Sequence, residues 1–376
     1  MVNEYKNLFL MDPSVTYLNC ANMGPLLKTA KEAGLQSLET RAAPWKLTAS
    51  DWFTDAEILR ELAAEVYQTH SNNIALIPSA SYGLAIAAKN FNLPAGKEIV
   101  ILKDEFPSNY YVWENLCRQQ NLQLIMVDEE ENKSLTDSIV EKINNNTGII
   151  AIPNCHWKKG TLINLKQVSD AAKTFNAYLV LDLSQSLGAL PINMEKIQPD
   201  FAVSVGYKWL LGPYSLAYLY ASPYWQQHGE PLEYNWIARD GSDDFASLTN
   251  YALAYRAGAR KFDMGENSQF NSLPMAIAGL QQINSWGIPF IQSTIKKYTD
   301  KIIDFKKTNG LEKNPALNAG HIISIPLNNL NAEKLKDRLQ KNKVIISFRA
   351  GNSIRVAPHL YNDMADIDKL LSCFDN

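Results

Sequence analysis

An α/β fold with a mostly parallel sheet, joined to a smaller α+β unit, is predicted by two features of the sequence. First, Glu98 to Leu102, Thr147 to Pro153, Tyr178 to Leu181 and Phe201 to Val205 are short, nearly unbroken apolar runs, the pattern of strands covered on both faces. Second, the C-terminal third mixes helical stretches with shorter runs, at Ile322 to Ile325 and Val344 to Ser347. A chain of 376 residues can form two such units. The division expected is a large unit over 15–260 and a small one over 261–376, to which residues 1–14 return.

In chain order, Tyr17 to Leu27 starts as a strand and breaks at Gly24-Pro25, and a helix runs from about Lys28 to Thr40. Phe53, Ile58, Leu59, Leu62, Ala63, Val66 and Tyr67 recur near helical spacing, which predicts an amphipathic helix over 52–67. Asn73 to Pro78 is a short strand, and Ser79-Ala80-Ser81-Tyr82-Gly83 opens an alanine-rich helix after it. A helix N-terminus with a capping serine offers unpaired amide N–H groups and hydroxyls, which suit a phosphate dianion. Ser81, with the amide of Ala80, is therefore the candidate phosphate site. Leu122 to Val127 is a further strand, Leu135 to Asn144 a helix, and Ser215 to Ala221 the last strand of the large sheet. Pro223 to Asp244 is expected to be a long ordered loop. Leu273 to Ile288, Phe290 to Phe305 and Leu335 to Lys341 complete the helices.

Composition excludes several classes. Hydrophobic residues make up 46% and charged residues 20%, so the chain is globular rather than disordered, and a net charge of -3 without a like-charge block gives no footprint for nucleic acid or a membrane surface. Cys20, Cys117, Cys155 and Cys373 are scattered without Cys-x-x-Cys or histidine clusters, so neither a metal site nor a disulfide framework is expected. The N-terminus lacks signal-peptide character and no apolar run has membrane-spanning length. A cytoplasmic location is the expectation.

The chemistry concentrates between Tyr178 and Tyr214. Asp182 directly follows one apolar run, and Lys208 follows the next after Gly206-Tyr207. Carboxyl ends of neighbouring strands in such a sheet face one crevice, so the acid and the amine can converge on one ligand. Pyridoxal 5′-phosphate (PLP) needs both: a lysine amine holds its aldehyde as a Schiff base, and a carboxylate on the pyridinium nitrogen keeps the ring an electron sink.

The motifs resemble those of the class V branch of the aspartate-aminotransferase-like PLP enzymes. Asp-Leu-Ser-Gln-Ser-Leu-Gly-Ala-Leu-Pro (Asp182 to Pro191) and Tyr207-Lys208-Trp209-Leu210 are similar to kynureninase strings, and the Asp-x-x-Gln is similar to that of cysteine desulfurases. The resemblance covers nearly the whole chain and implies a seven-stranded, mostly parallel large sheet. It implies that Phe106, in Phe-Pro-Ser-Asn, stacks on the pyridine ring, with Asn109 where kynureninases have Asp. It further implies that Gln185 donates to the ring oxygen and that Tyr207 points its hydroxyl at the phosphate. Trp157 lies beside the cofactor, where desulfurases have Asn, and neighbouring His156 is either an acid–base group or a structural histidine. Arg355, in a string similar to Arg-x-Ser/Ala-x-x-x-Tyr-Asn, is the expected grip on the substrate carboxylate, since a planar fork of donors matches it. Asn22 is a second substrate contact, and Arg349 is a second candidate for the carboxylate grip, with a plain exposed surface arginine as the expected identity. Glu266 stands where many relatives have a threonine that reaches the partner's phosphate, so it must turn away or yield that task to Asn267 or Ser268.

The implied function is a PLP enzyme acting on an α-amino acid, with Lys208 and Asp182 catalytic, as a class V aminotransferase-like transferase in a homodimer with sites at the interface. An amino-acid lyase or epimerase of kynureninase or isopenicillin N epimerase type, or an inactive binding protein of this fold, are the alternatives. Persulfide-forming desulfuration is disfavoured, because no cysteine lies between Cys155 and Cys373 to supply a mobile thiol near Arg355.

Overall fold

The computed structural model describes residues 4–130, 132–311, 317–328 and 330–374. The chain enters through β1 (Thr16–Tyr17), α1 (Lys28–Arg41) and α2 (Thr54–Tyr67). Strands and helices then alternate: β2 (Ile74–Ile77), α3 (Ala80–Asn90), β3 (Glu98–Leu102), α4 (Pro107–Gln120), β4 (Gln123–Val127), α5 (Leu135–Lys142), β5 (Thr147–Pro153), α6 (Leu165–Thr174) and β6 (Tyr178–Asp182). After α7 (Met194–Ile197) come β7 (Phe201–Val205) and β8 (Ala217–Ala221). A short α8 (Pro223–His228) occupies the start of the stretch expected to be loop, opened by Pro223 in its first turn. The helices α9 (Leu273–Trp286) and α10 (Ile288–Thr308) lead to β9 (Ile323–Pro326), α11 (Ala332–Lys341), β10 (Val344–Ile345), β11 (Ser347–Arg349), β12 (Ser353–Val356) and α12 (Met364–Ser372).

The large sheet has seven strands in the order β2-β8-β7-β6-β5-β3-β4. The five from β7 to β4 are parallel, and β8 runs antiparallel to both β2 and β7. The strand period of two explains why both faces are apolar. Ile99, Ile101, Ile149, Val180 and Val203 pack into a core with α3 and α4, while Val100, Ile150, Ile152, Leu179 and Leu181 pack into another with α1, α2 and α9. Each such side chain contributes roughly 1.5–3 kcal/mol by leaving water. A third core lies under the antiparallel sheet β11-β12-β9.

Two long-range ties frame the site. β1 pairs parallel with β10 and the Cys20 amide donates to the Ala357 carbonyl at 3.0 Å, so the N-terminal strand lies against the C-terminal part of the chain. Arg60 of α2, fully buried, makes a two-pronged ion pair with Asp263 at 2.7 and 3.1 Å, and Asp263 also accepts from the Leu76 amide of β2. Among the described residues no helix is long and apolar enough to cross a membrane, and no cluster of His, Cys, Asp and Glu could hold a metal ion.

Candidate active site

The carboxyl edge of the parallel strands opens into a cavity of about 250 Å³. Ala80, Ser81, Phe106, Trp157, Asp182, Gln185, Tyr207 and Lys208 all line it. Eight of the ten residues singled out from the sequence thus come together, although they span 129 positions (208 − 80 + 1) of the chain.

Lys208 follows β7 in a loop that is tightly fixed. Gly206 donates to Leu216 and receives from Gly212, both at 2.9 Å, and the Gly24 amide donates to the Tyr207 carbonyl at 2.8 Å. A Cβ at Gly24 would lie 2.2 Å from the Lys208 carbonyl oxygen, so only glycine allows this approach. The lysine is 6% exposed. Burial pulls its ammonium down to about 8, helped by the positive charges of Arg355 and Arg349 and opposed by Asp182. A minor but usable fraction of this amine, about a tenth at pH 7, is therefore uncharged, far more than for an ordinary lysine. Asp182 ends β6 between β5 and β7, and its Oδ1 accepts from the Ser184 amide at 2.9 Å.

Phe106 is the N-cap of α4, with Pro107 at the first helical position, and its ring centre lies 5.3 Å from Lys208 Nζ. Trp157 stands edge-on to it with centroids 5.6 Å apart and donates Nε1–H to the Asp104 carbonyl at 2.8 Å. Gln185 donates Nε2–H to the Ala21 carbonyl at 2.9 Å and accepts from the Trp209 indole at 3.0 Å. An amide nitrogen carries two hydrogens, so one remains to donate into the cavity. At the other end, Ser79 rather than Ser81 caps α3, accepting from the Tyr82 amide at 3.1 Å. Ser81 is exposed, within 2.9 Å of the Ser79 hydroxyl. The Tyr207 ring packs against Tyr214 at 4.6 Å between centroids.

Arg355 and Asn22 do not line the cavity. Arg355 is buried in β12, donates Nη1–H to the Trp157 carbonyl at 2.8 Å, and leaves Nε unpartnered. Burial and neighbouring Arg349 pull its guanidinium down to about 9. Asn22 is exposed. Arg349 corrects the expectation of a plain surface residue. It is half-buried in β11, its guanidinium stacks 5.1 Å from the Trp157 ring centre, and its Nε is buried without a partner. The cause is the β11–β12 ladder, which sets Arg349 opposite Ser353, a pairing invisible in local sequence.

His156 is buried outside the cavity lining, and its Nδ1 faces the amides of Lys158 and Lys159 at 3.2 and 3.3 Å, the geometry of a structural acceptor. Glu266 is exposed, while Asn267 donates to Asp263 at 2.8 Å and Ser268 to the Trp52 carbonyl at 2.5 Å. Asn267 and Ser268 are thus engaged within their own subunit.

Sequence reasoning missed Glu105 and Cys155, both of which line the cavity. Glu105 lies three residues beyond the end of β3, as Lys208 lies three beyond the end of β7, so the strand-end logic that found the lysine applies to it too. Cys155 points its thiol toward the Gln185 carbonyl at 3.4 Å, and burial pushes it up to about 12, which keeps it protonated and a poor nucleophile.

Comparison with known proteins agrees with this architecture. The chain is 24% identical to kynureninase of Bacillus anthracis over 392 residues, covering 97% of this chain and 89% of that protein. It is 23% identical to the uncharacterized aminotransferase YcbU of Bacillus subtilis (strain 168) over 362 residues, covering 96% and 93%. Among solved structures, a C-DES variant with glycine covalently linked to its PLP-cofactor superposes with a TM-score of 0.86 at 16% identity, covering 98% of this chain and 99% of that one. The model of the aminotransferase class-V family matches residues 46–370, and with the buried amine, the strand-end acid and the seven-stranded sheet in place, the chain belongs to that family.

Proposed function

We propose that this protein is a PLP-dependent enzyme acting on an α-amino acid, of the aminotransferase-like transferase type. One observation carries the reading: a buried, partly uncharged lysine amine shares a cavity with a strand-end carboxylate and lies 5.3 Å from an aromatic face. The donor set fits the cofactor piece by piece. Lys208 suits the aldehyde, Asp182 the ring nitrogen, Phe106 a ring face, and the spare hydrogen of Gln185 the ring oxygen. The α3 N-terminus with Ser81 and the amide of Ala80, together with the Tyr207 hydroxyl, suits the phosphate, and Trp157 walls the cavity beside Phe106. When bound, PLP supplies an electron sink for charge developing at the substrate Cα.

The chain's own residues then have separable tasks. Lys208 Nζ takes and returns the Cα proton, which a partly uncharged amine can do near neutral pH. Asp182, at the end of β6 in the cavity wall, would hold the ring nitrogen of the bound cofactor and favour its charged form. Although neither lines the cavity itself, Arg355, whose Nε is unpartnered, is assigned the α-carboxylate, with Asn22 as a further substrate contact. A lyase acting at the same Cα would use the same residues, and the kynureninase name of the 24% identical relative favours it as the second reading. Retention of Lys208, Asp182 and Arg355 weighs against an inactive binding protein, and the inert setting of Cys155 weighs against persulfide chemistry. A homodimer with sites at the interface completes the proposal.

The test is an absorbance spectrum of the purified protein, with PLP and then with a panel of L- and D-amino acids. A near-visible band is expected, shifting with one class of amino acid and absent in Lys208→Ala. Analysis of the product as keto acid, inverted amino acid or fragments then separates transferase, epimerase and lyase. The same band in Lys208→Ala refutes the assignment.

A further inference from the structure

The cavity holds a second carboxyl group that the reaction described above does not use. Glu105 is 9% exposed, its Oε1 accepts from the Phe106 amide at 2.6 Å, and its Oε2 is buried without a hydrogen-bond partner. Among the described residues no lysine, arginine or histidine forms an ion pair with it. The titratable group facing it is Asp182, from the end of β6, while Lys208 and Cys155 line the same cavity from the segments after β7 and β5. Asn109 approaches from α4. A buried carboxylate with one amide donor and another acid for a neighbour is costly, and such pairs settle the cost by keeping a proton.

We propose that Glu105 is a positioning residue that works as a neutral carboxylic acid, keeping its proton beside the Asp182 carboxylate so that this wall presents one negative charge to one cationic ring nitrogen. The proposal rests on the PLP reading only for the identity of that cation. Burial is the main cause that pushes Glu105 up, to about 8, with the charge of Asp182 adding and the Phe106 amide and Asn109 opposing. The arrangement makes Glu105 act through Asp182: ionising it would place two like charges at the ring nitrogen, which changes that nitrogen's proton affinity without touching the reacting atoms.

The proposal is tested first on cofactor-free protein, comparing wild type with Glu105→Gln. The infrared band of a protonated carboxyl group is expected in the wild type at neutral pH, fading with a midpoint near 8. That component should be missing in Glu105→Gln. The thermal midpoint of the variant should rise above that of the wild type as pH climbs from the ordinary glutamate value of 4.5, with the gap levelling off above about 8. A gap that does not change with pH overturns the proposal. On adding PLP at neutral pH, Glu105→Gln should give the same near-visible band with affinity within about threefold of wild type. A folded variant that cannot take up the cofactor also overturns it, since the carboxylate would then be required. If Glu105→Gln does not fold, the wild-type infrared titration decides alone, and no protonated carboxyl at neutral pH refutes the idea. If neither protein takes PLP, the infrared and thermal results still judge Glu105, and it is the cofactor reading that fails.

Discussion

Lys208 illustrates how a site residue works against the fold that carries it. Its pKa in the folded chain lies at about 8 against an ordinary 10.5, so the folded protein binds the ammonium proton less tightly than the unfolded chain does. The penalty is full below about 8, where both states are charged, and disappears as pH rises through that window to 10.5. A shift of this size corresponds to about 3 kcal/mol. Lys208→Met, which keeps the volume and drops the charge, should therefore stabilise the cofactor-free protein near neutral pH by an amount of that order. Urea unfolding of the two proteins checks this, and the gain should shrink when the comparison is repeated at alkaline pH. An unchanged or lowered midpoint at neutral pH would mean that the amine is solvated or paired in the folded state. Residues of this kind were legible because their chemistry is local: Asp182 and Lys208 announce themselves at strand ends. Glu105 obeys the same rule, and Phe106 beside it drew the attention as the more distinctive side chain.

At the scale of elements, the parallel strands were the most legible part. Glu98–Leu102 and Thr147–Pro153 match the runs read from the sequence end to end, since burial on both faces leaves no polar side chain after the first residue of either strand. What stayed hidden was pairing across distance. The two residues of β1 find β10 more than three hundred positions away, and Arg349 meets Trp157 only because β11 pairs with β12. The Arg60–Asp263 pair belongs to the same class. It joins α2, β2 and the segment before α9 through charges of which neither is more than 1% exposed. Removing one partner strands the other in the core. Arg60→Met should cost about 3–5 kcal/mol, whereas Arg60→Met combined with Asp263→Leu should recover part of the loss. Denaturant midpoints of both variants test this, and a single variant of wild-type stability would show that water reaches Asp263.

For the whole molecule, the question is what covers its exposed apolar surface. Trp45, Tyr251 and Leu253 are 79%, 85% and 88% exposed. Isolated apolar residues at a surface need no explanation. These, however, flank segments held together by edge-on ring contacts of Trp52 with Trp236 and Phe245, at 6.0 and 5.8 Å. The neighbouring concavity of about 700 Å³ is lined by Arg41, Trp52, Trp236 and Glu266, and it shares Ser215 with the active cavity. A second copy seated here would close the mouth of the site, and exposed Glu266 would then face its partner across the interface. The expected outcome is sedimentation at twice the chain mass of 42.2 kDa. Tyr251→Asp with Leu253→Asp should yield monomers that lose PLP on gel filtration while keeping the wild-type circular dichroism spectrum. Loss of cofactor together with loss of the dimer would tie occupancy to assembly, as expected if the cavity needs the second copy as its lid. A double variant that stays dimeric with full cofactor would move the interface elsewhere on the molecule, and Glu266 would then be an ordinary solvated carboxylate.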